Sequence, residues 1–469
     1  MSSNQIIIIL FGCLYFGFIL YTRRKGDFKE FSVAGKSLGT FMIFVSLAAT
    51  FVGPGFTMGF VRQGFKEGIL YAALASFAGV VISFVGIVLG PRIRKRFVEG
   101  VSVGDVIGGR HSHNHKLVRL LTGFINFWFL TAACIAMSYA GGELVTNVFG
   151  FSKQGSIFVI TSVVILYSYF GGIRATIQTD ALQFFHFVVL IPLLVIIIIF
   201  SDGFSLAEAT TQMKVSTSSG WDGYSFSALL GLAFIWSFMS GFDPIIVNRM
   251  LASRSDKAVR NALIAVGIFL ALWLLLMNVI GVIGKTLHPE LLDTDQLLLN
   301  LAEIHFPGIL YAIFIIAMIG VVMSSQDSIL NSAAVVFSED LVSPLWPSMS
   351  DPQKLLFSKL STIGIGMIAI LVAGFVDSIL QVLSFVFSYY IPIMVPLILL
   401  SVLLKRHYWQ AALVSMILAP LSYLLWEFSG LNELFPSVVF ALLVNFLSYG
   451  IVHLILSKKK PTVSKPLAA

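Results

Sequence analysis

The chain has 469 residues, of which 57% are hydrophobic and only 11% charged, a balance that excludes a water-soluble domain of this length. Its formal charge of +7 raises the question of nucleic acid, but the bases cluster in short segments between apolar stretches, which is a topology signal and not a binding surface. The two cysteines, Cys13 and Cys134, both lie in apolar stretches and imply neither a disulfide framework nor a metal site.

A helix needs about 20 mostly apolar residues to cross a bilayer core. In chain order this predicts thirteen spans, at 5–22, 38–66, 70–91, 117–147, 155–172, 177–201, 225–248, 259–285, 308–340, 355–375, 378–404, 408–428 and 434–456. Continuous apolar runs of this length exclude an outer-membrane barrel, whose strands alternate over about ten residues. The expected fold class is an all-α integral membrane protein with about 13 transmembrane helices. The first span has no basic segment before it and no small-residue cleavage site after it, so it is expected to stay as a helix. With the N-terminus outside, roughly 25 of the 30 basic residues fall in inside loops, Arg119, Arg174 and Arg249 among them, and only Arg62, Lys66, Lys153, Lys214 and Lys285 fall outside. That asymmetry predicts a multi-pass protein of the plasma (inner) membrane with a cytoplasmic C-terminus. The bilayer is one expected partner; nucleic acid and an obligate protein partner are not expected.

Two spans are interrupted. The span 38–66 holds Gly53-Pro54-Gly55 and the span 225–248 holds Gly241-Phe242-Asp243-Pro244. Backbone freed by such breaks is tolerated at membrane depth only where it lines a buried cavity. Setting the first span aside, these are helices 1 and 6 of a ten-helix core, running in opposite directions. This pattern predicts a five-plus-five inverted repeat with its site at the repeat interface, although ordinary proline kinks would also place prolines here. The expected layout is an N-terminal extra helix and linker (1–35), a first repeat (36–202), a second repeat (203–406), and two C-terminal helices with a basic tail (407–469). Core helix 10 is also polar and proline-interrupted, with Gln381, Ser384, Ser388, Pro392 and Pro396.

The most informative polar patch is 324–328, Ser-Ser-Gln-Asp-Ser, set between uncharged stretches at 308–323 and 329–337. A carboxylate at that depth costs about 2.5–3.5 kcal/mol on insertion scales, so Asp327 needs a partner, for which a cation is the natural choice. Ser324, Asp327, Ser328 and Asn331 share one helix face. Hard oxygens in such a stripe point to an ion site.

Several motifs then agree. The segment 27–36, Asp-Phe-Lys-Glu-Phe-Ser-Val-Ala-Gly-Lys, resembles the loop before core helix 1 in the sodium/solute symporter family. Tyr169-Phe170-Gly171-Gly172-Ile173-Arg174-Ala175, followed by Thr179-Asp180-Ala181-Leu182-Gln183, is similar to that family's stretch between core helices 4 and 5. Asn248-Arg249-Met250-Leu251-Ala252 resembles its segment after helix 6, and 323–332 its helix 8. The likeness runs from about 27 to 405 and is nearest in texture to the proline and pantothenate branches. It implies a leucine-transporter fold and sodium-coupled symport by alternating access, with one or two Na+ ions. It further implies a common sodium site at Ala49, Val52, Val321, Ser324 and Ser325, and a second site at Asp180, Ser324, Asp327 and Ser328. In the second site Asp327 stands where two-sodium members carry serine; it either binds sodium, shares a proton with Asp180, or takes part in proton coupling. The alternative for Asp180 is a structural carboxylate paired with a base such as Arg174. One charge moving down about 100 mV releases roughly 2.3 kcal/mol and a tenfold gradient about 1.4 kcal/mol, so the ion count sets the accumulation limit.

By the same resemblance the solute pocket draws on Phe51, Gly53, Phe56, Thr131, Ser138, Trp236, Ser240, Asp243, Gln381 and Ser384. Apolar walls with few polar groups suit a small amino acid, vitamin or short carboxylate better than a sugar. Asp243 either meets a solute ammonium or caps the helix break. A proton-coupled symporter of the same fold, or a solute sensor, is the alternative function. No nucleophile, base and oxyanion-hole set is visible, so an enzyme is not expected.

Overall fold

A computed structural model of the chain describes residues 5–10, 12, 17, 26–111, 115–201, 205, 207–208, 210–211, 225–239, 241–291 and 296–458. Within them the helices are α1 (Phe28–Val33), α2 (Thr40–Phe51), α3 (Phe60–Glu67), α4 (Leu70–Val88), α5 (Gly90–Arg96), α6 (Val103–His111), α7 (Lys116–Phe149), α8 (Lys153–Ile199), α9 (Phe226–Met239), α10 (Pro244–Leu251), α11 (Asp256–Leu287), α12 (Leu297–His305), α13 (Gly308–Val336), α14 (Asp351–Ala373), α15 (Ile379–Leu403), α16 (Trp409–Phe428) and α17 (Ser437–Lys458). Nine helices among the described residues are long and apolar enough to cross a membrane, or ten if the bent pair around Gly53 is one span. From 38–66 onward each expected span overlaps helix; most of the first expected span lies outside the described residues.

The differences from expectation have local causes. The expected spans 155–172 and 177–201 lie in one stretch, α8, whose 47 residues would measure about 70 Å if straight. Gly172, at φ 63°, breaks it, a conformation that favours glycine. Gly172 also packs so closely on Phe31 that a Cβ would stand 2.8 Å from its ring. The Gly53-Pro54-Gly55 break bends Thr40–Phe51 and Gly55–Glu67 by 62° through a π-helical turn at Gly55–Gly59, since Pro54 cannot donate to the ladder. The second break separates α9 from α10, where Asp243 caps the new helix and Pro244 opens it.

Packing relies on small residues, as it must where lipid is as apolar as the side chains. Where α3 crosses α11, a Cβ on Gly281 would stand 2.1 Å from the Val61 carbonyl oxygen, and one on Gly64 would stand 2.2 Å from that of Asn278. Gly281→Val is therefore expected to lower the melting temperature of the purified protein markedly, because overpacking against backbone costs about 1–3 kcal/mol or more. Gly364→Val, where an added Cβ would meet nothing within 4 Å, is the matched control; equal melting of the two variants would show that the contact is not tight.

Two basic residues counted as loop charges are not loop charges. Arg249 is wholly buried on α10 and Arg119 is 9% exposed on α7.

Candidate functional site

The motifs at 27–36, 169–183 and 248–252 converge in space. Arg174 pairs with Glu30 and donates to the Ala34 carbonyl (3.1 Å) and Ser37 Oγ (2.9 Å). It therefore does not serve Asp180. Asn248 Nδ2 donates to the Ser32 carbonyl at 2.9 Å and the Val101 carbonyl at 3.2 Å. Leu38 N donates to the Ala252 carbonyl and Arg254 N to the Leu38 carbonyl, at 3.1 and 2.9 Å, tying the start of α2 to the end of α10.

Above this clamp, the end of α2 faces the polar middle of α13. Ser324 Oγ lies 3.1 Å from both the Ala49 and Val321 carbonyls, and Ser325 Oγ lies 2.8 Å from the Thr50 carbonyl and 3.2 Å from that of Val321. Two hydroxyls have two protons to serve these four contacts. The Thr50 carbonyl has no helical donor of its own, since the residue four positions on is Pro54. The cluster is rich in lone pairs, short of donors and buried, which suits a hard monovalent cation. Of the expected common set, Ala49, Val321, Ser324 and Ser325 come together and Thr50 joins them. The Val52 carbonyl accepts from Thr57 Oγ1 at 2.7 Å, which leaves one of its two lone pairs free of that bond.

Beside this cluster lies a buried charge network. Ser46 Oγ donates to Asp180 Oδ2 at 2.7 Å and accepts from Arg249 Nε at 3.3 Å. Arg249 Nη2 donates to Ser328 Oγ at 2.9 Å, and Thr50 Oγ1 lies 2.9 Å from the same hydroxyl. Tyr167 OH and Thr179 Oγ1 lie 3.0 and 3.4 Å from Asp327 Oδ2. Asp180 Oδ1 and Asp327 Oδ1 have no hydrogen-bond partner. Ser46, Thr50, Tyr167, Thr179 and Arg249 were not among the expected site residues. The spacing of Ser46 and Thr50, four apart on an apolar helix, is a signal that could have found two of them.

Next to the ion-wall residues sits a cavity of about 80 Å³. Phe51, Gly53, Phe56, Trp236 and Asp243 line it, with Phe129, Met137, Leu383 and Phe387 not foreseen, and Thr50 and Ser325 belong to both cavity and ion wall. Asp243 Oδ1 accepts from the Ile245 and Ile246 amides at 2.8 and 2.9 Å, so it caps the break and also faces the cavity. Four expected pocket residues do not line it. Thr131 bonds to the Phe127 carbonyl, Ser138 accepts from Gln326 Nε2 at 2.7 Å, the Ser384 carbonyl accepts from Ser388, and Gln381 is exposed. Ser240 lies outside the described residues.

A second buried cluster lines neither cavity nor ion wall. Arg119 Nη2 reaches Asp105 (2.6 Å), Glu339 (3.0 Å) and Asp340 (3.4 Å), while Lys354 holds Glu339 at 2.8 Å.

Comparison with known proteins places the chain in a family. Residues 31–419 match the Sodium:solute symporter family. The chain is 24% identical to the Sodium/proline symporter of Escherichia coli (strain K12) over 97% of its own length and 93% of that protein's. It is also 24% identical to the High-affinity proline transporter PutP of Bacillus subtilis (strain 168), covering 94% of this chain and 95% of that one. In fold it is similar to a Na+-coupled sialic acid symporter in a substrate-bound outward-open state, with a TM-score of 0.82, 19% identity and coverage of 96% of this chain and 98% of that one. A nucleobase-cation-symport-1 family transporter in a closed conformation, with bromovinylhydantoin bound, aligns at a TM-score of 0.63 and 13% identity, over 93% of this chain and 96% of that one. The relatives are transporters and not enzymes, and the chain, matched over most of its length, belongs to the sodium:solute symporter family.

Proposed function

We propose that this protein imports a small amino acid, proline or one of similar size, together with sodium. The observation that carries the reading is the pair of α13 hydroxyls, Ser324 and Ser325, set on the carbonyls of Ala49 and Thr50 where α2 breaks. A sodium ion there is held by Ala49, Thr50 and Val321 carbonyls and both hydroxyls, and it ties helices of the two halves together. The solute cavity shares Thr50 and Ser325 with that wall, so each ligand orders the other's contacts, which is the physical content of coupling. Aromatic walls from Phe51, Phe56 and Trp236 suit an apolar ring, and Asp243 offers a carboxylate to its ammonium. Sugars, with hydroxyls on every side, find few partners here.

Alternating access follows from two broken helices meeting at the site. The proposed architecture is thirteen spans in a five-plus-five inverted repeat, divided at 36–202 and 203–406 with flanking helices at 1–35 and 407–469, the N-terminus outside and the C-terminus cytoplasmic. Proton coupling is the second reading, favoured by the unpartnered Asp180 Oδ1 and Asp327 Oδ1.

The test is a melting-temperature screen of purified protein against amino acids, sugars, vitamins and carboxylates, with sodium or choline as the cation. A ligand that binds only the folded state raises the melting temperature, by an amount that grows with the logarithm of its concentration once that exceeds the dissociation constant. Proline or a near analogue is expected to stabilise in sodium and much less in choline. Stabilisation by a sugar alone, or equal stabilisation in choline, would contradict the proposal.

A further inference from the structure

Far from the ion wall, the outer surface joins two apolar stripes to two basic helix ends. α4 and α5 run on as one span, Leu74–Arg96, and α11 packs along it. Glycines bring them close: a Cβ on Gly79 would stand 2.2 Å from the Gly267 carbonyl oxygen, and one on Gly90 3.2 Å from Val259. Beside this crossing Val80, Phe84 and Ile87 of α4 are exposed, as are Ile268 and Leu272 of α11. Exposed apolar stripes on spanning helices face acyl chains. On a 3.6-residue period Lys257 and Arg260 continue the α11 stripe and Lys95 continues that of α4; all three are exposed. Segments 90–96 and 256–260 hold six bases and one carboxylate, Asp256, a net charge of +5. Asp256 is already shared by Arg94 at 2.9 Å and Lys95 at 3.0 Å. Arg260 Nε donates to Asn261 Oδ1 at 3.4 Å, and neither Arg260 nor Lys257 pairs with a carboxylate among the described residues.

We propose that this crossing binds one anionic phospholipid, its phosphate at Lys95, Lys257 and Arg260 and an acyl chain along Phe84, Ile87 and Ile268. Charge selects the class, because a zwitterionic headgroup brings its own cation and leaves the local excess unmet. The apolar stripes select a lipid over a free phosphate ion, which has nothing to bury against them. In the proposed orientation this end is cytoplasmic, the side where anionic lipids set the negative surface potential. The site abuts the joint between α10 and α11. There Arg94 donates to the Ser253 carbonyl at 2.9 Å and the Arg254 carbonyl at 2.7 Å, and Arg254 N donates to the Leu38 carbonyl at the start of α2. A lipid held here braces the joint that ties the two broken helices together. The site stands or falls apart from the sodium reading, and the proposed orientation decides only which leaflet supplies the lipid.

The test follows the melting temperature of the full chain in nonionic detergent as dioleoylphosphatidylglycerol, dioleoylphosphatidylcholine or inorganic phosphate is added. Phosphatidylglycerol is expected to raise it by several degrees in the wild type, phosphatidylcholine much less, and phosphate not at all. Lys257→Gln/Arg260→Gln is expected to need roughly 25-fold more phosphatidylglycerol for half the shift, about fivefold per base. Lys116→Gln/Lys458→Gln removes the same charge from exposed positions on α7 and α17 and is expected to keep the wild-type midpoint. Lys257→Gln alone is expected to move the midpoint about fivefold, and it serves as the test if the double variant does not fold. Equal shifts by the two lipids in the wild type, or the whole shift with phosphate alone, would overturn the proposal. The same midpoint in both double variants, or an unmoved midpoint in Lys257→Gln, would overturn it too.

Discussion

Ser325→Ala is expected to raise the sodium concentration for half-maximal uptake by at least about tenfold, with a smaller rise for Ser324→Ala. Ser325 Oγ makes the shorter contact, 2.8 Å to the Thr50 carbonyl, and that carbonyl lacks a helical donor because of Pro54. Ser325 also fills the space beside Gly53, where a Cβ would stand 2.5 Å from its Oγ. Alanine removes an oxygen ligand and leaves the carbonyl facing a methyl group. A polar contact to a charged group is worth about 1.5–3 kcal/mol, which corresponds to roughly 10- to 150-fold in affinity. Sodium titration of uptake in membrane vesicles reads this directly. A half-saturation equal to that of the wild type would remove Ser325 from the ion wall.

Arg119→Gln has the second large effect, on stability and turnover and not on ligand affinity. Asp340 is wholly buried, held by Ser102 Oγ at 2.6 Å, the Gly104 amide at 3.2 Å and Arg119. Removing the guanidinium leaves Asp105, Glu339 and Asp340 together, with Lys354 bonded to Glu339 alone among the described residues. Breaking a buried ion pair on one side costs about 3–5 kcal/mol. The cluster joins α6, α7, the π-helical end of α13 at Phe337–Val342 and α14. The variant is expected to melt several degrees lower and to transport more slowly, with half-saturation for sodium and solute unchanged. Wild-type melting would show that the charges rearrange freely, and altered sodium half-saturation would show that the cluster is linked to the ion wall.

The helices and their interruptions were legible because apolar length and Gly-Pro pairs are local properties. The stripe at 324–328 was legible for the same reason: a charge inside an apolar run is visible without knowing its partner. Which faces meet was not. Thr131 and Ser384 suggested a pocket, yet a hydroxyl in a helix can be satisfied by the carbonyl four positions back, as Thr131 is, and then marks nothing. Val52 was expected to give its carbonyl to the ion, and the bond that Thr57 Oγ1, five residues on, donates to that same oxygen could not be read from the spacing. Arg249 is the most instructive miss. At the end of an expected span it counts as a topology charge; only the packing of α10 against α2 and α13 makes it a buried member of the carboxylate network.

In the proposed mechanism sodium bound at Ala49, Thr50, Ser324 and Ser325 drives solute uptake through the adjoining cavity. The measurement that tests it most directly is proline uptake into proteoliposomes containing this protein alone, under an inward sodium gradient, an inward proton gradient with choline replacing sodium, or neither. Accumulation above the outside concentration is expected with the sodium gradient only, and is expected to collapse in Ser325→Ala at the same sodium concentration. Equal accumulation under the proton gradient without sodium would contradict the account.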